Sequence, residues 1–427
     1  MSNQSETLYL STNLAERFAA VRQFTETLCE TLRPEDCCIQ SMPNSSPVRW
    51  HLAHTTWFFE TFLLKTDSNY RSYDEHYEVL FNSYYNSVGE QFPRALRGML
   101  TRPTVAEVYD YRHEVDRLVT KWFGEGQIDA DQQLAKVVEL GLHHEQQHQE
   151  LILTDVKHMF SLNPLRPRFR AGLRPSASDS PAKCEWIHFE EGLYTIGHVG
   201  EGFAYDNEGP QHRVFLEPYA LASRPVTSGE FLEFISEGGY SRPEFWLSEG
   251  WQQVQVNGWH HPLYWYEQDG RWQEFTLSGS RPVDLAAPVT HVSFFEADAF
   301  SRWAGVRLPT EAEWEVAAQD VGITGNFADT LLCSGHAIHP SSRSVDDGRL
   351  AQMFGDIWEW TASQYTAYPG YQPAPGALGE YNGKFMCNQF VLRGGSCATS
   401  SNHIRRTYRN FFAPEARWQF SGFRLAK

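Results

Sequence analysis

The sequence predicts a helical bundle followed by a mixed domain, an α then α+β chain. Three observations carry this. Up to about residue 160, apolar residues recur at three- and four-residue intervals and glycine is rare; a Pro-, Arg- and Ser-rich stretch follows; beyond it, short β-type runs alternate with Gly, Pro and Asn turns. At 427 residues the chain exceeds one ordinary core, so two domains are expected.

The elements follow in order. Asn13 to Leu32, Ser45 to Leu64, Thr104 to Trp122 and Asp131 to Phe160 read as four amphipathic helices, which makes residues 1–160 a bundle domain. Between the second and third lies an aromatic, polar connection over residues 66–103. Its length is unusual in a compact bundle, and that marks it as a functional loop. Residues 161–185, opening SLNPLRPRFRAGLRPSASDS, show neither helical nor strand period and read as a linker. Residues 186–427 form the second domain, with helices expected near Phe294 to Trp303 and Thr310 to Ala318.

Composition excludes some partners. With 36 Lys and Arg against 53 Asp and Glu, the net charge of −17 argues against nucleic acid or an anionic membrane, since both require a positive surface. The N-terminus lacks a basic and an apolar segment, and no run reaches the roughly 18 apolar residues of a membrane span. A cytoplasmic protein with small-molecule partners is expected. Seven scattered cysteines, none in a CxxC pair, read as reduced thiols.

The chemistry concentrates in LHHEQQHQELIL, where HEQQH fits the HExxH pattern of zinc proteases. On a helix His144 and His148 stand at i and i+4 and project from one face, so they can share a metal. A third ligand must come from another element. In SPVRWHLAHTTWFFETFLL, His54 leads the apolar run of the second helix, and an antiparallel bundle brings it opposite the fourth. His143, rotated about 100° from His144, faces away. The protease reading needs Glu145 as base and a further downstream ligand, which is not evident. Three imidazoles without an anionic ligand suit redox iron handling oxygen, although zinc and copper stay open.

HxxxH on the fourth helix with a bundle-facing His in WHLAH resembles the DinB-like metal-binding four-helix bundle. The second half resembles the FGE-sulfatase domain, a C-type-lectin-like fold, through GLYTIG, GPQHRVFLEPYALASRPVTSGEF, PVTHVSFFEADAFSRWAGVRLPTEAEWEVAA, GDIWEWTAS, LRGGS and FSGFRLA. The two domains in this order are similar to the EgtB-type sulfoxide synthases of ergothioneine biosynthesis. That resemblance implies a non-haem Fe(II) site at His54, His144 and His148, with O2 as co-substrate. It further implies joining of the sulfur of cysteine or γ-glutamylcysteine to the imidazole C2 of Nα-trimethylhistidine (hercynine).

The resemblance also implies roles for other residues. Gln147 matches a position contacting the substrate imidazole, and Asn410 and Phe411, in RRTYRNFFAPEARWQF, match the segment that holds the trimethylammonium, a group suited to aromatic faces. Where γ-glutamylcysteine-using members continue Asn-Trp-Asp, this chain has Phe412, so a carboxylate that would grip the γ-glutamyl amine is absent and free cysteine is expected. Arg94 and Arg97 are candidates for the cysteine carboxylate, because a guanidinium pairs two oxygens at once. Tyr84 and Tyr85 of FNSYYNSVG resemble the proton-donating tyrosines of the cysteine-using branch, with Tyr365 as runner-up, and the long loop is expected to fold over a site between the domains. Alternatives are the γ-glutamylcysteine reaction and ovothiol-type synthesis of 5-histidylcysteine sulfoxide, the latter disfavoured because no methyltransferase domain follows residue 427. A zinc-dependent hydrolase or thiol transferase is more distant.

Overall fold

Asn13 starts the first helix by accepting from the amides of Ala15 and Glu16, and α1 runs over Leu14–Cys29. The structure, a computed structural model, describes residues 13–175, 183–343 and 349–427. It divides into two units, Met1–Arg170 with Pro375–Tyr381, and Ala171–Ala374 with Asn382–Lys427.

In the first unit α2 spans Val48–Phe62, α3 Val105–Gly124 and α4 Gln132–Leu162. Thr104 and Glu107 close a capping box on α3, and Asp131 caps α4 through the amides of Gln133 and Leu134. Helix α4 packs against α1 and α2, and α2 also against α3. Leu52, Trp57, Phe58, Val108, Val115, Leu142 and Leu153 fill the interior. At Gly141 helix α4 comes close to α2: a Cβ there would sit 2.6 Å from a ring carbon of Phe59.

The 66–103 connection is folded. It contains a short helix, Tyr77–Phe81, and a 3-10 turn, Arg94–Met99, and the Asn82 amide donates to the carbonyls of Tyr85 and Gly89. Beyond α4 the carbonyl of Phe169 accepts from Thr31 at 2.6 Å, and Phe169 is buried in the first unit. Arg174 forms a bridge with His336 in the second.

The second unit is built from small sheets. Strands β1 (Trp186–Phe189) and β4 (Tyr219–Ala222) pair antiparallel, as do β2 (Gly192–Ile196) and β3 (His212–Leu216); β5 (Trp265–Gln268), β6 (Arg271–Thr276) and β7 (Gly279–Pro282) form a meander. Strands β8 (Trp358–Gln364), β9 (Phe390–Arg393), β10 (Asn410–Phe412) and β11 (Ser421–Gly422) form a sheet of order β10-β9-β8-β11, with β11 parallel to β8. The motifs GDIWEW and FSGFRLA meet in a buried pair, Arg424 donating to both oxygens of Glu359 at 2.7 and 2.8 Å. Helices at Phe294–Trp303 and Glu311–Ala317 lie where expected.

Among the described residues four further helices correct the reading of that region as mainly β-type runs: Ser228–Ser236, Ser248–Asn257, Ala328–Cys333 and the short Glu380–Gly383. The first carries a Thr227/Glu230 capping box that Ser228 and Gly229, poor helix formers, conceal by propensity alone. Burial of Phe231 and Phe234 outweighs that local cost.

Candidate metal centre

Helix α2 carries Trp50, His54 and Trp57 along one stripe, and the three rings stack. His54 lies 4.5 Å from Trp50 at 12° and 5.6 Å from Trp57 at 14°. This fixes the plane of its imidazole. The Nδ1–H donates to the carbonyl of Phe81 at 2.5 Å, which leaves Nε2 as the atom with an open lone pair. From α4, His144 and His148 face it: a ligand atom from each of His54, His144 and His148 lies within 4.8 Å of the others, and all three residues are buried. His54 Nε2 and His144 Nε2 are 3.2 Å apart. His144 Nδ1 is buried without a hydrogen-bond partner.

These rings are poor bases. Burial lowers the pKa of His54, and neighbouring His144 adds to the effect; His144 itself is pushed down by burial to about 4. His148 is also held well below the usual imidazole value, by burial first and then by His144 and His54. At neutral pH all three are uncharged and can offer nitrogen lone pairs, so the residues fit a divalent transition metal of the nitrogen-binding kind. His143 is buried on α4 but is not one of the three that gather.

One position along from His144, Glu145 is in a different environment. Its carboxylate accepts from Arg22 Nη1 at 2.8 Å, Arg112 Nη2 at 2.5 Å and Thr25 Oγ1 at 2.6 Å. Burial alone would raise its pKa, but the charges of Arg112 and Arg22 and the hydrogen bonds of Thr25 and Arg112 outweigh it and hold the group down at about 2. A carboxylate fastened to two guanidiniums is a poor general base, which removes the working residue of the zinc-hydrolase reading.

The loop residues gather as well. Arg97 stacks on Trp50 at 3.4 Å from the ring centre and donates to the hydroxyls of Ser46 and Ser83, each at 2.9 Å. It is buried, its Nε has no partner, and no ion pair forms with it among the described residues. Burial lowers its pKa to about 9. Arg94 Nη1 donates to the Tyr84 hydroxyl at 2.7 Å, and Tyr84 takes a φ of 70°, a backbone state uncommon for a side chain of that size. Tyr85 packs against Trp57 at 5.7 Å and Phe62 at 5.1 Å. Gln147 is half-buried between His144 and His148.

Sequence reasoning missed several participants. Glu380 accepts from the amides of Asn86, at 2.9 Å, and Ser87, at 3.0 Å, and the ring of Tyr381 meets Tyr84 at 5.9 Å. Both belong to the segment that joins the first unit from almost three hundred residues away, a separation no periodicity reveals. His51 and Asp155 flank the centre too.

The remaining candidates lie on the second unit. Asn410, Phe411 and Phe412 form β10, paired with Leu392, Val391 and Phe390. Phe411 stacks on Tyr365 at 4.1 Å and 8°, and on Phe385 at 5.7 Å. The Tyr365 hydroxyl accepts from Asn207 at 2.8 Å.

Residues 17–152 match the DinB superfamily, and residues 175–341 and 338–427 match the sulfatase-modifying factor enzyme 1-like domain. The hercynine oxygenase of Mycobacterium tuberculosis is 30% identical over 436 residues, covering 97% of this chain and 98% of the relative. That of Mycolicibacterium smegmatis is 33% identical over 67% of this chain and 70% of its own length. The formylglycine-generating enzyme of Streptomyces coelicolor is 30% identical over 56% of this chain and 88% of its own length. No helix among the described residues is long and apolar enough to cross a membrane. A full-length match that includes the histidine-bearing bundle, together with the second domain's own match, shows that the chain belongs to the hercynine oxygenase family.

Proposed function

We propose that the protein is a non-haem iron(II), O2-dependent sulfoxide synthase that joins the sulfur of cysteine to the imidazole C2 of hercynine, giving hercynylcysteine sulfoxide in ergothioneine biosynthesis. The observation that carries this is the buried, neutral three-histidine cluster in a chain aligned along its length with a hercynine oxygenase. His54, His144 and His148 would hold the iron, which when bound supplies the redox chemistry with oxygen and a site for thiolate.

The chain's own groups then orient the reactants. Gln147, between two of the histidines in sequence and only partly buried, would meet the substrate imidazole. Arg97, a buried cation hydrogen-bonded to hydroxyls rather than paired with an acid, favours the carboxylate of cysteine, and Arg94 is its neighbour in sequence. Tyr84 and Tyr85 are the candidate proton donors, in the same unit as the cluster; Tyr365 has a packing role against Phe411. On the second unit the stacked faces around Phe411, with Asn410, suit a trimethylammonium, and Phe412 stands where a γ-glutamyl-binding acid would be.

The test is purified protein with Fe(II), cysteine, hercynine and O2, followed by mass spectrometry. The coupled sulfoxide is expected only with all four, and cysteine is expected to outperform γ-glutamylcysteine. Iron should be lost in His54→Ala, His144→Ala and His148→Ala and kept in His143→Ala. No product, together with tightly held zinc, would overturn the proposal.

A further inference from the structure

His148 Nδ1 lies 2.8 Å from His51 Nδ1, and the other nitrogen of that ring, Nε2, lies 3.0 Å from Asp155 Oδ2. The placement follows from helical spacing. Asp155 stands two turns beyond His148 on α4, and His51 stands one turn before His54 on α2. His148, His51 and Asp155 are all buried. The chain of contacts has a defined direction, because a carboxylate only accepts hydrogen bonds. His51 Nε2 must therefore carry the hydrogen. In the neutral ring Nδ1 is then the acceptor, His148 Nδ1–H must donate to it, and His148 Nε2 keeps its lone pair.

We propose that His51 and Asp155 are positioning residues for the metal centre, and that the Asp155–His51–His148 chain fixes the tautomer and ring plane of His148 so that Nε2 is its ligand atom. The inference rests on the reading of His54, His144 and His148 as the metal ligands. His54 shows the same design with one link fewer, since the Phe81 carbonyl takes its Nδ1–H directly. Ligand histidines held in this way bind metal more tightly because the ring need not reorient. Asp155 has a second contact, accepting from the Ser46 amide at 2.8 Å, and so ties the start of α2 to α4. Its Oδ1 is buried without a partner, which leaves Oδ2 as the oxygen serving both His51 and Ser46. A role confined to that tie would make no demand on the chemistry of residue 51.

Co(II) titration of the metal-free full chain separates the two roles, read by equilibrium affinity and by the visible absorption of the bound ion. Asp155→Asn and His51→Leu are expected to weaken binding about 10- to 100-fold and to shift the absorption band. His51→Gln, whose side-chain oxygen can accept from His148 Nδ1, should recover most of the loss. Thermal midpoints of the metal-free variants should differ less than their affinities. Unchanged affinity and spectrum in Asp155→Asn and His51→Leu would overturn the proposal. So would equal loss in His51→Leu and His51→Gln, or failure of the near-isosteric Asp155→Asn to fold, since either outcome makes the chain a structural tie only. His54→Ala, titrated alongside, tests the underlying reading: if it binds Co(II) like the parent, the ligand assignment falls, whereas a parent that needs His54 and ignores His51 sinks the relay alone.

Discussion

The two sides of helix α4, one residue apart at His144 and Glu145, solve the burial of polar groups in opposite ways. Toward α2, three histidines lie among Trp50, Trp57 and Phe58, uncharged at neutral pH, with His144 Nδ1 lacking a partner. Toward α1 and α3, Glu145 stays charged, because Arg22 and Arg112 neutralise it and Thr25 completes its hydrogen bonds. A buried charge that is fully paired holds a fold in one arrangement; buried neutral nitrogens with open lone pairs are a store of binding energy for a ligand. The HEQQH pattern therefore divides between two functions. On the proposed function its histidines serve the chemistry and its glutamate the scaffold.

Breaking the scaffold side should have the larger effect on stability. Glu145→Gln removes the carboxylate shared by Arg22 and Arg112, which then keep only Asp116 and Glu26 as acid partners among the described residues, and breaking a buried pair in this way costs up to about 3–5 kcal/mol. Urea unfolding of the metal-free variant should show that loss, while the folded fraction still takes up one metal per chain. A variant of normal stability that has lost metal would place Glu145 on the chemical side and reverse the comparison.

Acid should separate the two sides by pH. His144 protonates near 6.5 when unfolded but only at about 4 when folded, so the unfolded chain binds more protons between those values. Stability from this group is therefore complete above about pH 6.5 and lost as pH falls towards 4, by about 3 kcal/mol. Glu145 has its folded pKa lowered to about 2, so its contribution is present above about pH 4.5 and disappears as pH falls through 2. Unfolding of metal-free protein across this range, with His144→Asn as the reference, should show the upper window narrowed in the variant. An identical profile in both would mean that burial of His144 does not set its acidity.

How much of this was legible beforehand depended on range. The pair in HEQQH is visible because i and i+4 is a local spacing, and His54 because it heads an apolar run on a helix expected to pack antiparallel. Asp155 is a lone acid in LILTDVKHMF, and its link to His51 joins two helices, so only the packed bundle brings it to the centre. Glu380 and Tyr381 were hidden for the same reason at greater distance: their partners, Ser87 and Tyr84, lie almost three hundred residues earlier in the chain. In the second unit the capping box of Thr227 and Glu230 was a readable sign, obscured by the poor helix formers between them.

The smallest expected effect lies at the junction of the two sides. Gly141 is one turn before His144, in a helix interior where alanine would ordinarily add about 1 kcal/mol of stability. Here a Cβ would stand 2.6 Å from Phe59 Cε1 and 2.9 Å from Phe58 Cε1, and the same Phe58 ring packs on His144 at 4.9 Å. Both aromatic rings belong to the helix that carries His54, so the strain cannot be relieved without moving α2 relative to α4 or turning the rings. Overpacking of this size costs about 1–3 kcal/mol, and the sign of the usual glycine-to-alanine effect should reverse. Gly141→Ala should also widen the spacing of His54 from His144 and weaken Co(II) more than its modest loss of melting temperature implies. A variant as stable as the parent but with unaltered metal affinity would show that the rings yield freely, and that the close contact of α2 with α4 is not what sets the geometry of the histidine cluster.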